Sequence, residues 1–418
     1  MASPGTLRRF LATLGPGLIT GAADDDPSSI GTYSIAGALF GYTCLWIAWF
    51  TFPLMAAIQL ICARLGLVSG RGLGDLLRKY YGSRILWPAC LLLVIANVVN
   101  IGADLGAMAA STALVTGVRA AYLTPLYTLL MIVLMVWASY RMVARIFKWM
   151  TLALFAYILA AFLAHPSWNE IAAATFVPKL EWSRQYWSTL VAVLGTTISP
   201  FLFFWQATQE VEEEREQGKV TAAQRRGATE REKRDSRTDV LAGMLFSNLI
   251  MYFVVLTAAA TLHVNGKTSL GTVQEVAEAL RPLAGGGTYL LFTLGIIGTG
   301  MLSVPVLAGS TAYAIAEGAG WCGSLALPPR RAPQFYVVLA GALLAGLALN
   351  GFGFGAVALL FWSAVVNGLL APPLIVLVVL LSNDRKVMGR HVCGPALRVL
   401  GWLTAAVMSF AAVAMWLM

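Results

Sequence analysis

Apolar stretches long enough to cross a lipid bilayer recur along the whole chain, and they leave it few possible folds. About 20 residues at 1.5 Å of rise cover roughly 30 Å of hydrocarbon. A window of about that length finds about eleven segments, at 10–41, 42–68, 84–116, 121–139, 149–164, 187–213, 238–262, 287–317, 334–350, 355–382 and 398–417. The composition agrees, because 58% hydrophobic and 12% charged residues over 418 positions, with a mean hydropathy of +0.74, exclude an ordinary water-soluble globule. The segments predict an all-α polytopic membrane protein.

The charges predict how the segments are threaded. Alternating from a cytoplasmic N-terminus places Arg8/Arg9, Arg64 to Arg84, Arg141 to Lys148, Arg215 to Arg237, Arg330/Arg331 and Arg385 to Arg398 on one side. That side holds 24 of the 29 Lys and Arg, all but Arg119, Lys179, Arg184, Lys267 and Arg281. The excess of Lys and Arg in cytoplasmic loops supports both count and orientation. The net charge of +9 is thus a topology signal and not a nucleic-acid footprint, since the bases are spread over six loops. The first apolar run lacks a cleavage site and ends in aspartates, so no signal peptide is expected. Cys44, Cys62, Cys90, Cys322 and Cys393 show no CxxC spacing and are expected as reduced core residues. Residues 210–239 mix both signs densely and read as a solvated, partly helical cytoplasmic linker. It joins a first half, 1–209, to the rest of a second, 240–382, with one further helix in 383–418.

Two segments are interrupted. The first breaks at Asp24-Asp25-Asp26-Pro27-Ser28-Ser29, the sixth at Gly195-Thr196-Thr197-Ile198-Ser199-Pro200. Each break holds a proline, Pro27 or Pro200, about midway, where a straight helix would lose a backbone hydrogen bond. Broken helices five apart, entering from opposite sides, point to an inverted-repeat secondary transporter with its site at the midplane. A charge at the bilayer centre costs about 2.5–3.5 kcal/mol even on the lenient insertion scale, so three aspartates there mark an ion or substrate pathway. The apolar segments offer Asp24, Asp25 and Asp26 no lysine or arginine partner, Arg64 being placed with the basic loops. Carboxylates, hydroxyls and freed carbonyls form an all-oxygen set, which suits a hard divalent cation such as Mg²⁺, Mn²⁺ or Ca²⁺.

The stretches GPGLIT, DPSS and GALFGYTCLW resemble the first two helices of the natural resistance-associated macrophage protein (NRAMP) metal transporters, whose first break carries Asp-Pro-Gly-Asn. GTTISPFLFFWQ resembles their sixth helix, with its Ala-x-x-Met-Pro-His, and GADLGAMAASTAL extends the likeness to the third. The resemblance implies a LeuT-type fold, two inverted five-helix repeats plus an eleventh helix. It implies a multi-pass carrier of a bacterial cytoplasmic membrane, not an enzyme, with a metal ion as cargo and no cofactor. The partners expected are divalent metal ions and the lipid bilayer, with no nucleic acid; a monomer suffices.

Departures from the family pattern sharpen the expectation. The family's metal-binding aspartate falls on Asp26, its asparagine on Ser29, its carbonyl-donating alanine on Thr196 and its methionine on Ser199. A thioether favours transition metals and a hydroxyl does not, and shorter side chains leave room for the waters that Mg²⁺ keeps. The pattern resembles the NRAMP-related magnesium transporters, and implies passage of Mg²⁺ and Mn²⁺ through Asp26, Ser29, Thr196, Ser199, Asp25 and Thr197. The family's histidine after Met-Pro is Phe201 here, and its helix-three glutamate is Ala107; the ninth segment holds no arginine. Of the family's proton relay only Asp104 remains, so transport is expected to be uncoupled from protons. A proton-coupled Mn²⁺ or Fe²⁺ importer is the alternative.

Asp104, Asn367 and Asp24 are expected along the pathway, with Asn97 and Asn100 as weaker candidates. Glu210 and Glu317 read as members of a solvated vestibule, and His165, His263 and His391 fall in loops and form no ligand pair. Two other classes fit less well. An aspartate-rich diphosphate enzyme needs a second aspartate cluster, and the sequence shows none. An amino-acid carrier of the same fold would hold a substrate carboxylate on its half-helix N-termini, where three aspartates would repel it.

Overall fold

A computed structural model of the protein describes residues 15–137 and 153–418. Arg8, Arg9 and the Arg141 to Lys148 run lie outside the described residues, as do parts of the first and fifth apolar segments.

The proline and aspartate of the first break organise what lies around it. The segment folds as two half-helices, α1 (Pro16–Asp24) and α2 (Pro27–Phe40). Pro27 occupies the first turn of α2 and Pro200 the first turn of α10 (Pro200–Glu216), which follows α9 (Arg184–Thr197). In that position a proline costs nothing, because the first helical N–H groups have no intrahelical partner. Each proline begins a new helix, so no mid-helix hydrogen bond is lost. Asp26 caps α2 from extended backbone, accepting from the Ser29 amide.

Between the breaks lie α3 (Trp46–Ser69), a short amphipathic α4 (Leu73–Tyr80), α5 (Ser83–Thr116), α6 (Ala120–Trp137), α7 (Phe155–Leu163) and α8 (Trp168–Phe176). Beyond α10 come α11 (Glu230–Ala258), α12 (Thr288–Ala319), α13 (Pro333–Asn350), α14 (Ala356–Asn383) and α15 (Pro395–Leu417). Among the described residues nine helical stretches are long and apolar enough to span a bilayer. The two half-helices of the first segment are each too short to count, and α7 is the described part of the fifth. Cys44, Cys62, Cys90 and Cys393 are buried, Cys322 is exposed, and all five are free thiols.

Small residues let the broken helices approach their neighbours, as in other bundles within lipid. A methyl group on Gly21 would overlap the Gly243 backbone of α11, and one on Gly195 would overlap the backbone of Ala364 and Gly368 on α14. The first crossing brings Asp239, at the start of the apolar part of α11, onto the N-terminus of α1. Its carboxylate accepts from the amides of Gly15 (2.8 Å), Gly17 (2.6 Å) and Leu18 (3.1 Å). Three orphan N–H groups are thus satisfied by one anion at the positive end of the helix. Each bond to a charged group contributes about 1.5–3 kcal/mol. Asp239→Ala should therefore speed amide exchange of Gly15, Gly17 and Leu18 by at least about tenfold. Unchanged exchange would mean that packing alone holds α1.

The stretch 210–239 is not simply solvated, which corrects the expectation for it. Glu210, Glu212 and Glu214 are buried on α10. Buried Arg225 donates to the carbonyls of Gly70, Lys219 and Val220, docking the loop on the end of α3. Glu210 lines no vestibule; it accepts from Gln206 (3.0 Å) and Ser236 (2.8 Å). Half-buried Glu317 does line a cavity of about 640 Å³ on the basic face and accepts from Gly74 at the start of α4. His263 ends a π-turn continuing α11 and bonds the Ala38 carbonyl, so it is not in a loop.

Candidate functional site

The two helix breaks meet. Ser29 at the start of α2 donates to the Asp24 carbonyl (2.6 Å) at the end of α1, and its hydroxyl contacts that of Thr196 near the end of α9. Ser199 donates to the carbonyls of Thr196 (2.7 Å) and Gly195 (3.0 Å), and Thr197 to that of Val193 (2.6 Å). Tyr33 of α2 reaches the Thr197 hydroxyl at 3.2 Å. The backbone carbonyls freed at both breaks are therefore covered by serine and threonine hydroxyls. Those hydroxyls can rotate away, and carbonyl and hydroxyl oxygens then face the same ion.

Four carboxylates surround this junction, and each is at most 2% exposed. Asp26 accepts from the Ser29 amide (2.7 Å), the Ser28 hydroxyl (2.9 Å) and the Asn100 amide (2.7 Å) of α5. Asp104, one turn along α5, accepts from the Ser28 amide (3.2 Å) and from Ser303 of α12 (3.1 Å). Asp24 and Asp25 share the Ser247 hydroxyl of α11, at 2.7 and 3.2 Å. One oxygen of each, Oδ1 of Asp24 and Oδ2 of Asp25, is buried with no hydrogen-bond partner. The ion pairs of the described residues involve none of the four. Removing one ion from water costs several kcal/mol in a protein, so this group needs a cation from outside the chain or protons.

The structure thus brings together Asp26, Ser29, Thr196 and Asp104, with Asp24 and Asp25 beside them on Ser247. Asn367 of α14 is buried one residue before the Gly368 crossing, and neither its oxygen nor its nitrogen has a partner. Ser199 is turned back onto its own chain. Among the described residues, no three His, Cys, Asp or Glu side chains converge closely enough to hold a metal by themselves. Sequence reasoning missed Ser247, Ser303 and Ser28, each a lone hydroxyl in an apolar or junctional run. Asn100, a weaker candidate there, contacts Asp26 directly. Asn97 instead donates to Leu307, Ser310 and Thr311 and ties α5 to α12.

Residues 17–418 match the family model described as natural resistance-associated macrophage protein-like. The chain is 27% identical over 417 residues to the divalent metal cation transporter MntH of Deinococcus radiodurans, covering 97% of this chain and 89% of that one. It is 28% identical over 310 residues to the divalent metal cation transporter MntH of Yersinia enterocolitica, 72% of each. Among solved structures, the manganese transporter of Eremococcus coleocola in complex with an aromatic bis-isothiourea compound is similar with a TM-score of 0.76. Identity there is 17%, over 99% of this chain and 87% of that one. Mhp1, a nucleobase-cation-symport-1 transporter in a closed conformation, is similar with a TM-score of 0.61 at 14% identity, covering 96% and 92%. The fold is of the LeuT type, as the family resemblance implied.

Proposed function

The chain belongs to the natural resistance-associated macrophage protein-like family, and from that premise we propose that it carries divalent metal cations, Mg²⁺ and Mn²⁺, inward across a bacterial cytoplasmic membrane without moving protons. The observation that carries this reading is the junction itself. Buried carboxylates without a basic partner meet hydroxyl-covered carbonyls at two helix breaks. Hydroxyls, carbonyls and carboxylates are hard ligands, and the Asp26 carboxylate is held by Ser28, Ser29 and Asn100, while the Met251 thioether meets the Thr197 hydroxyl at 3.7 Å. Asp26 supplies charge, the Asp24 and Thr196 carbonyls supply dipoles, and Ser29, Thr196 and Ser199 supply hydroxyls or hold the ion's waters. Asp24, Asp25 and Asp104 lower the energy of a dication in the pathway.

Uncoupled movement is supported by what surrounds Asp104. Its partners are an amide and a serine hydroxyl, and Ala107, three residues on, and Phe201, beside Pro200 at the second break, are buried and cannot titrate. Ser28 joins Asp104 to Asp26, so a proton can pass between these two carboxylates, but Ala107 and Phe201 offer it no acceptor beyond them. The basic loops favour a cytoplasmic N-terminus, hence inward transport under a potential that is negative inside.

Selectivity tests the assignment of ligands. Ser29→Asn, Thr196→Ala and Ser199→Met together add a soft ligand, which gains nothing with Mg²⁺ and crowds its waters. In calorimetric titrations the triple variant should shift the Mg²⁺ to Cd²⁺ affinity ratio by at least about tenfold toward Cd²⁺. An unchanged ratio in a folded variant would place selectivity elsewhere.

A further inference from the structure

A groove of about 590 Å³ runs between α3, the start of α11 and the start of α15, far in sequence from the helix breaks. Its walls are apolar: Phe52, Ala56 and Leu60 of α3, Leu241 of α11, and Leu397 and Leu400 of α15. On α3 the lining residues Pro53, Ala57, Leu60, Arg64 and Leu67 recur at three- and four-residue intervals, so they form one continuous face. From Phe52 to Arg64 this face runs about 18 Å at 1.5 Å per residue. Half of a hydrocarbon core of roughly 30 Å is about 15 Å, so the apolar part matches one leaflet.

The charges sit at one end only. Arg64, Lys233, Arg234 and Arg237 line the groove where the basic loops emerge, against the single anion Glu230. Glu230 is taken by Lys233 at 2.5 Å, and Lys233 also meets His391 at 3.3 Å. Arg234 and Arg237 are exposed and make no ion pair among the described residues, whose bridges on this helix are Arg231 to Asp235, Lys233 to Glu230 and Lys219 to Glu232. The Nε of half-buried Arg64 is buried and has no hydrogen-bond partner. Guanidinium groups present donors suited to phosphate oxygens. An apolar trough one leaflet long that ends in three unpaired guanidiniums is complementary to one molecule in its surroundings.

We propose that this groove is a binding site for an anionic phospholipid, whose phosphate is held by Arg64, Arg234 and Arg237 and whose acyl chain lies along α3 between α11 and α15. A soluble phosphate would use the arginines and leave the trough uncovered. A zwitterionic lipid would fill the trough but bring a second cation to the arginines. Basic pockets between membrane helices at the level of the headgroups bind anionic lipids for these reasons.

The test uses the full chain, delipidated in detergent, with dioleoylphosphatidylglycerol and dioleoylphosphatidylcholine as probes and native mass spectrometry as readout. Phosphatidylglycerol should bind with one tight equivalent and phosphatidylcholine should not. Arg234→Gln and Arg237→Gln, both at exposed positions, should weaken that equivalent roughly fivefold each, and addition of Arg64→Gln should bring the loss to about a hundredfold. Leu60→Trp, which fills the trough and leaves every cation in place, should also release the lipid. Each variant's thermal unfolding without added lipid should match that of the parent, which shows that the fold is kept. Equal binding of both lipids, binding unchanged in all variants, or displacement of the lipid by equimolar inorganic phosphate would each overturn the proposal.

Discussion

Asp26→Asn should leave the protein folded and lower metal uptake by about two orders of magnitude, since ligand charge count moves hard-cation affinity over several decades. The structure gives Asp26 two tasks, and this substitution separates them. As N-cap of α2 it accepts from the Ser29 amide, which asparagine does as well as aspartate. Its other oxygen accepts from Asn100, whose own oxygen is buried without a partner. Rotating the Asn100 amide turns that oxygen toward the new donor and leaves its nitrogen where the oxygen was, so the number of Asn100 polar atoms without a partner does not rise. Only the charge is lost. Asp26→Ala removes cap and charge together and adds about 1 kcal/mol of destabilisation, so it cannot tell them apart. Uptake of Mn²⁺ at the wild-type rate by the asparagine variant would mean that the ion's charge is met elsewhere, with Asp24 and Asp25, each of which has one oxygen on Ser247 and one without a partner, the first to examine.

Metal entry should not acidify the lumen of proteoliposomes. A potential of about 100 mV, negative inside, supplies roughly 2.3 kcal/mol per charge, and about twice that for a dication. That corresponds to accumulation of roughly a thousandfold or more, with no proton needed. Asp104 is held by Ser28 and Ser303, and the positions Ala107 and Phe201 carry no titratable group, so on the proposed reading a proton on these carboxylates has no relay to follow. A pH-sensitive dye should therefore report the same lumenal pH with Mn²⁺ added as in protein-free vesicles. Reproducible metal-dependent acidification would favour a proton-coupled manganese or iron importer.

The helices were legible because their signal is local. A run of apolar residues broken by Asp-Asp-Asp-Pro or by Ser-Pro announces a half-helix wherever it falls, and the observed bounds of α5, α13 and α14 differ by a residue or so from those expected. The contacts around the breaks were less legible. Ser247 on Asp24 and Asp25, Ser303 on Asp104 and Asp239 on α1 each join residues about 200 or more apart. They depend on backbone crossings such as Gly21 on Gly243, which periodicity does not encode. The mixed-charge loop misled for a related reason: its density of charge suggested solvent, whereas Arg225 turns inward onto the Gly70 carbonyl at the end of α3 and onto two carbonyls of its own loop.

The central claim, a hard-cation carrier driven by the membrane potential alone, is met most directly by Mg²⁺ entry into liposomes that hold the purified protein and a magnesium-sensitive dye. With a potassium gradient and valinomycin setting the inside negative, Mg²⁺ should enter wild-type vesicles, enter faster as the potential is raised, and stay outside vesicles holding the Asp26→Asn variant. No Mg²⁺ entry under conditions in which the same vesicles take up Mn²⁺, or entry that does not respond to the potential, would contradict it.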